Sequence, residues 1–168
     1  MSESPSSPSC RLATVTPYLI LRNAGEAVGY YLKVFGAVEM YRMTGPDGKA
    51  IMHGEIRIGD SMIFFADEFP DWGIKSPLTL GGSPVALHLS VPNVDEVFDR
   101  AVAAGATVIM PVQNQFWGDR YGKLVDPNGH VWGIATEVES LTAEEINRRA
   151  AEAMKPESSC DPSDQPQQ

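Results

Sequence analysis

In the first half of the chain, three polar side chains occupy every second position of a short, mostly apolar segment. His53, Glu55 and Arg57 take every second position of the run 50–58, whose other positions are mostly apolar. Side chains of a strand point alternately to its two faces, so these three share one face. An imidazole beside a carboxylate can bind a metal ion, act as a base or hydrogen-bond a ligand. The same residues could also satisfy one another, or form an ordinary polar face open to solvent.

Two more side chains of this kind lie in separate apolar runs. Tyr18 lies in the run 15–21, and His88 lies in the run 85–91. Strand alternation places each of them on one face with its neighbours two positions away. These neighbours are Thr16 and Ile20 for the tyrosine, and Ala86 and Ser90 for the histidine. A third histidine, His130, follows a tight turn, and we expect it to be structural.

The segment 111–122 combines aromatic rings with a few polar groups. Its notable side chains are Phe116, Trp117, Asp119, Arg120 and Tyr121. Such a mixture is typical of the wall of a small-molecule pocket, and the planar guanidinium of Arg120 suits a carboxylate or a phosphate. We expect this segment to be a loop. Alternatively, Trp117 and Tyr121 fill a joint in the fold while Asp119 and Arg120 pair locally.

The elements that would position these residues occur twice. Each half contains an apolar run, a helical pattern that begins after Asn, a Gly stop, a further strand and a strand hairpin. The helices run from Asn23 to Gly36 and from Asn93 to Gly105. Asn can accept a hydrogen bond from the first turn, and Gly relaxes the left-handed position after the last turn. Two unrelated βα units would share some of this order, but the full match favours an internal duplication.

The repeat predicts the organisation of the chain. We expect a first βαβββ module over 13–67, a linker over 68–83, a second module over 84–139, a C-terminal helix over 140–153, and disordered tails over 1–12 and 154–168. Composition limits the partners. A net charge of −9 without a Lys/Arg run argues against nucleic acid, and no apolar run is long enough to span a bilayer. Cys10 and Cys160 lie in the polar tails, which suits a reducing compartment. The sequence therefore predicts a cytoplasmic protein.

Five motifs carry a resemblance to a known family. They are Thr16-Pro-Tyr-Leu, Tyr30-Tyr-Leu-Lys-Val-Phe-Gly-Ala37, Met52-His-Gly-Glu-Ile-Arg-Ile-Gly-Asp60, Phe116-Trp-Gly-Asp-Arg-Tyr-Gly122 and Asp126-Pro-Asn-Gly-His130. Over about residues 14–139 the chain resembles the vicinal-oxygen-chelate superfamily (glyoxalase/bleomycin resistance protein/dioxygenase), and in particular its PhnB-like branch. The resemblance implies an α+β fold. Two tandem βαβββ modules would form a curved, partly open eight-stranded mixed sheet around a cup, plus a C-terminal helix. It also implies a homodimer.

The resemblance raises the question of a metal ion. Members that use a metal take four ligands from four strands, and the corresponding positions here are Thr16, Phe64, Ala86 and Gly133. None of these is a strong ligand, so we expect neither the standard metal site nor another cofactor. The polar residues near the cup could still form an unconventional divalent metal site.

These observations predict a protein that binds a small molecule in a sheet-lined cup. The ligand contacts would come from Tyr18, His53, Glu55, His88, Phe116, Trp117, Arg120 and Tyr121. The alternative is a lyase, an isomerase or another enzyme of the superfamily that uses acid/base residues or an unconventional metal site. Binding cups and acid/base sites use the same residue types, so both functions stay open at this point.

Overall fold

A computed structural model describes residues 13–155, and its elements follow the order strand, helix, three strands twice over. The first module comprises β1 (Tyr18–Leu21), α1 (Ala24–Phe35), β2 (Val38–Thr44), β3 (Ile51–Ile58) and β4 (Ser61–Asp67). A 3-10 turn (Pro70–Trp72) and the short helix α2 (Pro77–Leu80) follow. The second module comprises β5 (Ala86–Ser90), α3 (Val94–Ala103), β6 (Thr107–Asn114), β7 (Asp119–Val125) and β8 (Val131–Glu137). The helix α4 (Ala143–Ala153) comes last.

The eight strands form two mixed sheets of four strands each. Their orders are β1-β4-β3-β2 and β5-β8-β7-β6, and in each sheet the first strand pairs in parallel with the last strand of its module. The two orders are identical once the second module is renumbered, which confirms the duplicated βαβββ arrangement. Each module contributes one four-stranded ladder, so the hydrogen bonds divide the expected eight strands into two open sheets.

Both modules bury their helices in one shared core. In the first module the core residues include Leu19 of β1 and Tyr31 of α1, and in the second they include Phe98 of α3 and Trp132 of β8. The rings of Phe35 and Trp132 lie 4.6 Å apart between centroids, and α1 contacts α3 directly. Burial of this apolar surface is the main source of stability. It also fixes which face of each sheet is left for solvent or a ligand.

The helix starts differ between the modules. The prediction is confirmed for α3, where the Asn93 side chain accepts from Glu96 N–H at 3.3 Å. It is wrong for α1. Asn23 has the left-handed backbone conformation (φ 54°) and makes no capping hydrogen bond from its side chain. Asp67, at the end of β4, instead accepts from Ala24 N–H at 2.6 Å, and a carboxylate at a helix N-terminus is the stronger acceptor.

The segment 111–122 is not a loop for most of its length. β6 runs to Asn114 and β7 starts at Asp119, so only a short turn remains between the two strands. Pro111 is tolerated inside β6 because this strand lies at the edge of its sheet and its register shifts on both sides of Met110. The C-terminal helix begins with a capping hydrogen bond, since Thr142 Oγ1 accepts from Glu145 N–H at 3.3 Å.

The connection between the modules is held by one carboxylate. Glu68 accepts hydrogen bonds from Arg22 Nε at 2.9 Å, from Ser76 Oγ at 2.8 Å and from Thr79 Oγ1 at 2.6 Å. Among residues 13–155, no helix is both long and apolar enough to cross a membrane. The predicted tail 1–12 and residues 156–168 of the predicted tail 154–168, with Cys10 and Cys160, lie outside the described residues.

Candidate functional site

Each sheet has one face in the core and one face turned away from it, which we call the cup face. In the first module, Leu19, Ile56 and Phe65 are buried in the core. The alternate positions therefore belong to the cup face. The strand register aligns four of these positions in one row across the sheet, and they are Tyr18, Phe64, Glu55 and Tyr41.

Tyr18, His53 and Glu55 form a hydrogen-bonded chain on this face. The Tyr18 hydroxyl lies 3.0 Å from His53 Nδ1, and His53 Nε2 lies 3.3 Å from Glu55 Oε1. If the phenol donates to Nδ1, then Nε2 carries the imidazole proton and donates to the carboxylate. Partial burial raises the pKa of Tyr18, so the phenol stays protonated. The structure thus brings together three of the residues that the sequence predicted.

Phe64 and Tyr41 complete this cluster. The Phe64 ring lies 5.0 Å from that of His53 and 6.0 Å from that of Tyr18, and Tyr41 lies 6.2 Å from His53, all between centroids. Tyr41 was not among the predicted site residues. Its position next to the cluster follows from the pairing register between β2 and β3. A single sequence does not fix that register, so the sequence contains no signal for Tyr41.

The remaining aromatic candidates lie on the cup face of the second module. His88 stacks on Tyr121 at 6.0 Å, Tyr121 contacts Trp117 edge to face at 5.8 Å, and Trp117 contacts Phe116 at 4.9 Å. Trp117 Nε1 donates to Asp119 Oδ2 at 3.0 Å, which fixes the indole. The structure therefore places His88 in a row of rings on the second sheet, while Tyr18, His53 and Glu55 lie on the first.

Arg120 lies on the opposite face of β7 from this row. Gly122 and Leu124, which share its face by alternation, pack towards Phe98 and the core. The guanidinium donates to both carboxylate oxygens of Asp95, at 2.7 and 2.6 Å, in the first turn of α3. These contacts hold β7 against α3, and Asp119 is not the partner of Arg120.

The positions that correspond to metal ligands do not fit a metal ion. Phe64 and Ala86 have no donor atom, and Thr16 Oγ1 is directed to the carbonyl of Ala13 at 3.4 Å. A Cβ on Gly133 would overlap the hydroxyl and ring of Tyr121, so the place of a ligand side chain is filled by this phenol. Among residues 13–155, no group of three or more His, Cys, Asp or Glu side chains could hold a metal ion.

A separate cavity lies between the modules. It has a volume of about 780 Å³ and is lined by the β3–β4 turn, β5, Phe35 and Trp132. It meets the cup faces at Met62, His88 and Ser90, and it does not include Tyr18, His53 or Glu55. We place the candidate site on the cup faces because most of the predicted site residues lie there, whereas the cavity borders the free edge of β5.

His130 has a structural role, as expected. Its Nε2 lies 3.2 Å from the carbonyl of Ile20 in β1, so a neutral imidazole can donate there. Burial lowers the pKa of His130 and favours this neutral form, although the nearby Asp126 acts in the opposite direction. Asp126 itself is 3% exposed. Its carboxylate accepts from Tyr31 Oη at 2.8 Å and from Trp132 Nε1 at 2.9 Å, which ties the two modules together.

Comparisons with known proteins agree with this architecture. The sequence pattern of the Glyoxalase/Bleomycin resistance protein/Dioxygenase superfamily matches residues 11–134. An uncharacterized protein of Mycobacterium bovis is 44% identical over 135 residues, which are 79% of this chain and 88% of that protein. The crystal structure of TioX from Micromonospora sp. superposes with a TM-score of 0.57 at 25% identity, covering 77% of this chain and 100% of TioX.

One further solved structure shares the fold. It is a protein from Bacillus cereus described as a putative 3-demethylubiquinone-9 3-methyltransferase, PhnB protein. It superposes with a TM-score of 0.60 at 16% identity, covering 74% of this chain and 99% of that protein. At this identity the likeness concerns the fold.

Proposed function

Because the chain belongs to the glyoxalase/bleomycin resistance protein/dioxygenase superfamily, we propose that it binds a small, planar molecule on the cup faces without the standard metal site. The observation that carries the proposal is the row of rings formed by His88, Tyr121, Trp117 and Phe116 on an accessible sheet face. Rings with two torsions each provide contact area at low entropic cost. We also assign the chain to the PhnB-like branch, on the motifs quoted above and the Bacillus cereus structure.

The test is a thermal-shift and calorimetry screen against planar aromatic compounds. A ligand that binds the folded state raises the midpoint of unfolding, and the shift grows with the ratio of its concentration to its dissociation constant. We expect a positive shift that Trp117→Ala abolishes, because the indole is held in place by Asp119 and would stack on the ligand. Arg120→Met is the matched control, since its guanidinium is engaged by Asp95 on the other face of β7. If Trp117→Ala leaves the affinity of every bound compound unchanged, the proposed site is wrong.

The chain of Tyr18, His53 and Glu55 supports a second candidate function, acid/base catalysis by a lyase or isomerase. His53 could accept the phenolic proton at Nδ1 while Glu55 stabilises the resulting imidazolium, and the Tyr18 oxygen could then remove a proton from a carbon acid. Exchange of the C–H protons of dihydroxyacetone into deuterated water, followed by proton NMR, tests this function. Exchange that is abolished by Tyr18→Phe and by His53→Asn would support it, and equal rates with and without protein would exclude it for this probe.

The same residues must be tested for an unconventional metal site. Protein purified without chelators should contain less than one equivalent of Ni, Zn, Fe or Mn by elemental analysis. A full equivalent that is lost in Glu55→Ala or His53→Ala would overturn the metal-free proposal.

We further propose that two chains form a homodimer. Within residues 13–155, β1 and β5 are edge strands with one unpaired side each, and unpaired edges promote association. Large apolar side chains next to these edges are exposed, with Val15 at 83% and Val85 at 63%. Sedimentation should give twice the chain mass of 18.2 kDa. The variant Val85→Lys should shift the protein towards the monomer, and a monomeric wild type at micromolar concentration would contradict the proposal.

A further inference from the structure

Lys123 is the one lysine of the described chain that is not fully exposed. It lies on β7 between Gly122 and Leu124, which both face the core side of the sheet, so Lys123 belongs to the cup face with Tyr121. The other described lysines, at positions 33, 49, 75 and 155, are all exposed. The register places Lys123 opposite Gly133, which in turn lies opposite His88.

The ammonium group of Lys123 has no carboxylate within ion-pair distance among residues 13–155. By contrast, Arg22, Arg42, Arg100, Arg120, Arg148 and Arg149 each pair with a carboxylate. The carboxylate nearest along the same face of β7 is Asp119, four residues away, and its Oδ2 accepts from Trp117. A partly buried cation without a partner retains its demand for a counter-charge. In a chain of net charge −9 this is an unusual place for an unpaired cation.

Gly133 creates the space between Lys123 and His88. Because it has no side chain, the Tyr121 phenol extends over it, and a Cβ there would overlap the phenol oxygen. The Tyr121 hydroxyl makes no hydrogen bond to another described residue. A phenolic donor and an ammonium donor thus lie on neighbouring positions of one accessible surface, beside the face of an aromatic stack.

We propose that Lys123 and the Tyr121 hydroxyl bind the oxyanion of an aromatic ligand, a carboxylate or a phosphonate, whose planar part contacts Trp117. The proposal rests on the proposed function, because it assigns a ligand class to the same cup face. The cation donates charge-assisted hydrogen bonds to the oxyanion, and the phenol donates one more. Arg120, the cation that the sequence indicated for this role, is directed to Asp95.

Three probes of similar size test the inference by calorimetry at low and high salt. They are phenylphosphonate, benzoate and the neutral benzamide. We expect the anions to bind more tightly than benzamide, and Lys123→Met to weaken the anions by about tenfold or more while leaving benzamide unchanged. Lys123→Arg should restore part of the affinity, and Tyr121→Phe should weaken the anions by about three- to tenfold. The exposed Lys75→Met is the matched control and should bind as the wild type does.

The outcomes separate this inference from the proposed function. If Lys123→Met binds the two anions as tightly as the wild type does, the anion site is wrong. If, in addition, Trp117→Ala abolishes the binding of all three probes, the proposed binding of planar molecules stands without the anion site. If the wild type binds none of the three probes, the anion site is wrong, and the screen against planar compounds tests the proposed function separately. Where both anions bind, the ratio of their affinities shows whether the site prefers a phosphonate or a carboxylate. Circular dichroism of each variant establishes that the fold is retained.

Discussion

Two adjacent tyrosines on α1 allow the buried hydrogen bonds to be tested with a matched pair of variants. The Tyr31 hydroxyl donates to Asp126 Oδ2 at 2.8 Å and accepts from Asn128 Nδ2 at 3.3 Å. The Tyr30 hydroxyl is also buried, but it has no hydrogen-bond partner among the described residues. Both substitutions to Phe remove one oxygen atom and leave the ring in place, so the change in volume is the same.

The expected changes in the free energy of unfolding differ because only the Tyr31 hydroxyl takes part in a hydrogen-bond network. Burial and the negative charge of Asp126 raise the pKa of Tyr31, so its phenol is always a donor. A hydrogen bond to a charged group contributes about 1.5–3 kcal/mol, and the Asn128 amide also loses an acceptor. We therefore expect Tyr31→Phe to lower the free energy of unfolding by about 2–3 kcal/mol. Tyr30→Phe should be neutral or stabilising by up to about 1 kcal/mol, because it removes a buried polar atom that is unpaired.

Urea unfolding followed by far-ultraviolet circular dichroism measures both values. The dependence on urea should stay the same in the two variants, so that the midpoint alone reports stability. A loss below about 0.5 kcal/mol for Tyr31→Phe would mean that the Asp126 network does not hold the modules together. An equal loss in Tyr30→Phe would show that the loss in Tyr31→Phe does not come from the hydrogen bonds to Asp126 and Asn128.

Three further predictions concern pH and packing. The hydrogen bonds from Thr79, Ser76 and Arg22 lower the pKa of Glu68 from 4.5 to about 2. The carboxylate therefore stabilises the fold above pH 4.5 and loses this effect as the pH falls towards 2. In Glu68→Gln the free energy of unfolding should depend less on pH between these values. Burial lowers the pKa of His130 below 6.5. The unfolded chain then takes up the proton first, stability falls as the pH drops below 6.5, and urea midpoints for His130→Gln should vary less there. Gly133→Ala should cost about 1–3 kcal/mol in urea unfolding through overpacking against Tyr121, and it should weaken the anionic probes.

The internal duplication could be predicted from the sequence because each module has its own helix-end signals. Gly36 directly follows α1, and Gly105 lies two residues after the end of α3; both have positive φ, at 65° and 98°. No other residue type adopts this conformation as easily, so the helix ends could be read from the sequence. The start of α1 could not be read in this way. Its capping carboxylate, Asp67, lies more than forty residues along the chain and reaches Ala24 N–H only after β1 and β4 have paired.

The site was predicted in part for a similar reason. Alternation within one strand correctly grouped His53 with Glu55, because that relation needs only the period of the strand. The side on which Arg120 and Lys123 lie depends on where β7 starts, and the segment was expected to be a loop up to position 122. With β7 starting at Asp119, odd positions face the cup and even positions face α3. A boundary shift of three residues thus changes which cation is expected on the face of Tyr121.

The duplicated fold gives the two cup faces equivalent rows with different chemistry. Across the first sheet the row reads Tyr18, Phe64, Glu55, and across the second it reads His88, Gly133, Lys123. The third position is therefore a carboxylate in one module and an ammonium in the other. An anionic group is repelled by Glu55 and attracted by Lys123, so an anionic ligand has one favoured module. Where Phe64 fills the central position of the first row, Gly133 leaves that position to the Tyr121 phenol. The two rows thus differ at all three positions, and this difference would give the proposed anionic ligand a single orientation on a nearly symmetric scaffold.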